Sequence, residues 1–190
     1  GTFYMLGVGF LYFSTGTLNM SEMKELLTDD ASARSVQTGA AFIFAGLGLK
    51  MALVPMHLWL PDAYTFAPSS VNTLIAPIMT KVGAYAMIRM VISVFPDGYL
   101  KDSLPIGDGL LILGVIGIIF GSVAAMSQKD IRRMLAYSSI SQLALIAVGV
   151  GLGTPLGLIA ALLHIMNHAV MKATLFMAAA SVRFTSGITE

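Results

Sequence analysis

Three apolar stretches of this chain carry ionisable side chains at spacings that suit proton transfer. Lys50 sits within AFIFAGLGLKMALVPMHLW, Lys81 within APIMTKVGAYAMIRM, and His164, His168 and Lys172 within HIMNHAVMK. A charged residue at the centre of a membrane helix costs at least ~2.5–3.5 kcal/mol, so such positions call for a function. The last three residues recur at i, i+4 and i+8. On a helix each step turns ~40° and climbs ~6 Å, which makes a ladder roughly 12 Å long. Two imidazoles and an amine in that row can exchange protons through intervening water, with Asn167 on an adjoining stripe as an accessory group. Burial disfavours a charged amine and an approaching carboxylate favours it, so a buried lysine can load and release a proton as its partner moves. Histidine at i, i+4 also suits zinc, but no Cys, Asp or Glu in the segment supplies the further ligands, and no metal site is expected.

The elements that position these groups are membrane helices. The chain has 190 residues, 56% hydrophobic and 11% charged, with a mean hydropathy of +0.82; a soluble domain has ~25% charged residues. A net charge of +1 gives no reason to expect nucleic acid. The absence of cysteine excludes disulfides, iron–sulfur clusters and thiol chemistry. Strand-like alternation is missing, which argues against a barrel. The expected fold is an all-α polytopic transmembrane bundle. About six segments are expected: a helix ending near residue 16, a polar connection over 17–35, and membrane helices over 36–58, 71–95, 106–126, 134–152 and 156–182. Residues 1–190 read as part of one proton-conducting transmembrane domain. The chain opens inside an apolar run, which reads as a fragment of a longer protein.

Local chemistry refines these segments. Pro55 lacks an N–H and disturbs the carbonyl of Met51, so the helix should break near Lys50–Pro55; His57, seven positions after Lys50, would share its face if the helix continued. Pro77 likewise disturbs the carbonyl of Thr73. Lys81, Tyr85 and Arg89 recur at i, i+4 and i+8 and suggest a polar lane, with Arg89 snorkelling at the helix end. The loop HLWLPDAYTFAPSS reads as a stiff structural connector: Pro61 and Pro68 restrict it, Trp59 and Tyr64 suit the interface, and Asp62 caps the turn or meets the basic loop at 129–133. Lys129, Arg132, Arg133 and Arg183 outnumber Lys24, Arg34 and Lys101 on the opposite side. That weak bias places the first cluster, with the loop at 59–70, in the cytoplasm. None of the ten acids falls in an expected membrane core.

The pattern of a helix lysine, VPMHLWLPDAYTFAPSSV and a second helix lysine, followed by SQKDIRRMLAYSSISQ and HIMNHAVMKATLF, resembles the proton-translocating antiporter-like subunit family. That family spans respiratory complex I (NADH-quinone oxidoreductase, subunits L, M and N), membrane-bound hydrogenases and Mrp sodium/proton antiporters (subunits A and D). The resemblance implies about fourteen helices in two inverted repeats, with this chain in the middle. Lys50 then matches the lysine of the first half-channel's broken helix and Lys81 the connecting lysine. His164, His168 and Lys172 match the polar row that starts the second half-channel. The partner glutamate would precede Gly1 and the last channel residue would follow Glu190. It further implies proton movement within a larger complex of membrane subunits, with sodium as the alternative ion, in a bacterial or archaeal inner membrane. The chain itself would bind no cofactor, and flavin, iron–sulfur clusters and quinone would belong to partner subunits. A structural or quinone-site role, with polar residues only holding helices together, is the alternative of another class.

Overall fold

The computed structural model describes residues 1–30, 33–96, 99 and 106–186. Its elements are α1 (Thr2–Thr15), α2 (Met20–Asp30), α3 (Arg34–Lys50), α4 (Trp59–Phe66), α5 (Ser69–Ser93), α6 (Ile106–Met126), α7 (Ile131–Gly151) and α8 (Pro155–Ser186). No strand occurs among the described residues. The six expected segments correspond to eight helices there, of which four, α5 to α8, are long and apolar enough to cross a membrane. The polar connection holds α2, the connector at 59–70 holds α4, and α1 and α3 are 14 and 17 residues long. The expected polar loop around Lys101, Asp102 and Pro105 lies outside the described residues.

The segment expected over 36–58 ends instead at Lys50. Ala52 takes φ 58°, the left-handed region, where a helix of L-residues cannot continue. Residues 51–58 form a turn that includes a cis Val54–Pro55 bond. The exposed carbonyls at the end of α3 find donors locally. Leu53 N–H donates to Gly48 O (2.9 Å), Ala52 N–H to Leu49 O (3.2 Å), and the Trp59 indole N–H to the same Leu49 carbonyl at 3.1 Å. Trp59 thus ties the start of α4 to the end of α3 and satisfies helix-end acceptors that have no intrahelical partner.

Small residues let the helices approach closely, as expected where lipid supplies no hydrophobic drive between them. A Cβ on Gly7 would lie 2.5 Å from Ile43, and one on Gly46 would lie 2.8 Å from the backbone of Tyr4, so α1 and α3 pack nearly backbone to backbone. Gly114, Gly117 and Gly121 of α6 do the same against Val148, Ala144 and Ser141 of α7. Gly83 brings α5 against the last turn of α3, where an added Cβ would sit 3.2 Å from both Lys50 Cβ and Met51 N. α8 packs on α5 and α7, and α4 packs on α7. Four elements therefore enclose one interior that the polar residues can share.

Candidate functional site

α5 and α8 carry the lysines into that interior. Lys81 is 4% exposed and Lys172 fully buried. The Lys81 ammonium bends back along its own helix and donates to Ala76 O at 2.8 Å, while Lys172 Nζ crosses to α7 and donates to Leu135 O at 2.9 Å. Among the described residues neither ammonium has a carboxylate within ion-pair distance. Each buried amine is met by a neutral carbonyl, a weaker partner than an opposite charge.

The histidine ladder has the geometry its spacing implies. The His164 and His168 rings stack with centroids 6.0 Å apart, close to the ~6 Å rise of four helical residues. His168 is fully buried and neither of its ring nitrogens has a hydrogen-bond partner; His164 Nε2 is also buried and unpartnered. His168 and Lys172 lie one turn apart on α8, which packs against α5, the helix that carries Lys81. Buried polar atoms are normally satisfied, and these imidazole nitrogens have no protein partner. No cluster of metal-ligating side chains occurs among the described residues.

Other expected positions fall outside this interior. Lys50 is exposed at the end of α3, and the break removes the shared face with His57. His57 is instead buried against α6, edge-on to Phe120 at 4.8 Å, with both ring nitrogens unpartnered. The lane of Lys81, Tyr85 and Arg89 does not form. Tyr85 is 48% exposed and receives an Arg89 N–H at 3.4 Å on the outer face, away from the buried Lys81. Asn167 is likewise exposed. In the connector, Pro55 and Pro68 are exposed and Pro61 is buried in the first turn of α4. Asp62 meets Arg133 at 3.6 Å.

Four side chains belong to the interior or its frame, of which Tyr64 and Arg132 were expected in other roles and Thr80 and Ser139 carried no sequence signal. Tyr64, expected at the interface, is 1% exposed; its hydroxyl donates to Ala76 O at 3.4 Å and its ring meets Phe176 of α8 edge-on. Thr80 and Ser139 are fully buried beside the lysine carbonyls, and Ser139 Oγ donates to the same Leu135 carbonyl that Lys172 uses. Arg132, 8% exposed, donates to Thr65 O (3.3 Å), Ala67 O (3.2 Å) and Ser69 Oγ, clamping the α4–α5 junction to the start of α7. Asp130 caps that start by accepting the Arg132 backbone N–H at 2.7 Å.

Comparison with known proteins places this arrangement. A family model described as NADH:quinone oxidoreductase/Mrp antiporter, TM, matches residues 2–188. Subunit N of NADH-quinone oxidoreductase from Desulforudis audaxviator (strain MP104C) is 44% identical over 189 residues, covering 98% of this chain and 37% of that protein. Among solved structures, a chain of the membrane-bound sulfane sulfur reductase, an archaeal respiratory membrane complex, is 36% identical with a TM-score of 0.86, covering 96% of this chain and 37% of its own. A chain of the Mrp complex from Dietzia sp. DQ12-45-1b is 28% identical with the same TM-score, covering 96% and 33%. This chain thus spans about a third of the length of those relatives. With the family model matching nearly its whole length, the chain is an integral membrane protein that belongs to the NADH:quinone oxidoreductase/Mrp antiporter transmembrane family.

Proposed function

We propose that this chain moves protons through the membrane as part of a subunit of a complex I-like NADH-quinone oxidoreductase. The supporting observation is the burial of Lys81, His168 and Lys172, with no carboxylate within ion-pair distance of either amine among the described residues. Burial without a fixed counter-charge disfavours the charged amine, which lets it give up a proton. In this reading Lys50, at the open end of α3, delivers protons of the first half-channel to Lys81. His168 and His164 then relay with Lys172 through internal water, and His57 supports the turn side of the path. Residues 1–190 form the middle of one inverted-repeat domain, and neighbouring membrane subunits share the complex. Its flavin, iron–sulfur clusters and quinone are held by partner subunits, and the membrane is the bacterial or archaeal inner membrane. The 44% identity to a subunit N supports the complex I reading. The likeness to an Mrp complex supports a second one, a cation/proton antiporter subunit in which sodium is exchanged.

The test is proton pumping by the full-length protein in its reconstituted complex, with Lys50→Ala or Lys81→Ala. Loss of proton transfer with assembly intact is expected. Pumping at the wild-type stoichiometry would contradict the reading, and a sodium requirement would move it to the antiporter form.

A further inference from the structure

Tyr64 has no part in the pathway as proposed, yet its hydroxyl reaches the same acceptor as Lys81. Its ring is seated between α4, α5 and α8 at 1% exposure, with Phe176 edge-on at 5.7 Å. Asn72 Nδ2 donates to the Tyr64 carbonyl at 2.6 Å, which fixes the backbone that carries it. The hydroxyl donates to Ala76 O at 3.4 Å, and the Lys81 ammonium donates to that oxygen at 2.8 Å. A carbonyl has two lone pairs, and in an α-helix one faces the amide four residues on. Two side-chain donors therefore meet at what remains of one acceptor. The lysine, being charged and closer, holds the stronger bond.

We propose that Tyr64 is a positioning residue for Lys81: its hydroxyl takes the Ala76 carbonyl whenever the lysine nitrogen leaves it. When the lysine turns away, the Ala76 carbonyl keeps its helix amide but loses the side-chain donor at its second lone pair. That loss would hold Lys81 in place if no second donor stood ready. With Tyr64 at hand the oxygen stays satisfied in both positions of the lysine, and the amine is free to turn toward His168 and Lys172 on α8. Thr80 adds to this switch. Its Oγ is fully buried without a hydrogen-bond partner, so it offers the tyrosine hydroxyl a second acceptor in place of the shared carbonyl. The connector at α4 thus acts on the lysine that α5 carries, through one shared oxygen.

This inference rests on Lys81 carrying protons, and a double-mutant cycle in the reconstituted full-length complex separates the two ideas. The variants are Tyr64→Phe, Lys81→Met and the pair, with Tyr64→His as a donor-retaining control and assembly quantified for each. Tyr64→Phe keeps the ring against Phe176 and removes only the hydroxyl, so a fall of about fivefold or more in proton-transfer rate is expected with assembly unchanged. Tyr64→His is expected to recover most of that rate. In the Lys81→Met background Tyr64→Phe should leave assembly and thermal stability unchanged, whereas a merely structural tyrosine would lower both in either background. Wild-type rates for Tyr64→Phe, equal rates for Phe and His at this position, or a loss of stability in both backgrounds would each overturn the proposal. Normal pumping by Lys81→Met alone would instead overturn the proton role of Lys81.

Discussion

Lys50 and Lys81 lie on helices that touch at Gly83, yet their surroundings are opposite in kind. Lys50 ends a helix, exposed, at a turn held by a set of backbone bonds and by the Trp59 indole. Lys81 lies mid-helix, 4% exposed, bonded to one neutral carbonyl, with the unpaired His168 imidazole and Lys172 across the interface. The break is thus rich in hydrogen bonds around a lysine that has room to move. The interior is poor in hydrogen bonds around lysines that are buried. Stability is concentrated in the frame, and titratable groups are concentrated where the frame leaves polar atoms unsatisfied. Substitutions in the frame should lower stability, and those in the interior should lower transport.

The largest expected effect belongs to Lys172→Met. Methionine matches the aliphatic stem and removes a buried amine that has no counter-charge, so thermal stability should hold or rise, while proton transfer in the assembled complex falls at least tenfold. Loss of stability together with transport would blur the contrast. Next comes Arg132→Ala. It strips donors from two carbonyls and the Ser69 hydroxyl at the α4–α5 junction, and should cost about 2–3 kcal/mol in detergent-based unfolding. Trp59→Phe removes a single donor from Leu49 O and should cost ~1 kcal/mol by the same measurement. Asp62→Asn should change stability by well under ~1 kcal/mol, because the Arg133 pair is exposed and solvent-screened. A larger value would move that pair into the frame.

The interior was largely legible in the sequence, and the frame was not. Intramembrane lysine and histidine are rare enough to stand out, and a rigid helix converts spacing into the stacked pair at 6.0 Å without help from the rest of the fold. The break near Lys50 followed from Pro55, although the turn at Ala52 begins before the proline and leaves His57 on a different neighbour. The α4 helix was hidden by Pro61, which a first helical turn tolerates because its missing N–H has no acceptor there. Tyr64 looked interfacial because an aromatic with a polar tip beside a loop suits either place. Its burial depends on Phe176, more than a hundred residues away. The Arg132 clamp had no local signature at all, since its partners are main-chain oxygens and one hydroxyl of a distant junction, reached only when α4 packs on α7.

His168→Leu separates transport from packing most directly. The imidazole is fully buried and makes no hydrogen bond, so leucine can replace its packing without stranding a protein partner. Proton uptake into vesicles bearing the assembled complex, followed against the driving reaction, should fall at least tenfold while assembly and thermal stability remain at wild-type levels. Uptake at the wild-type ratio would show that the unpaired histidine only fills space, and would contradict a proton path through this interior.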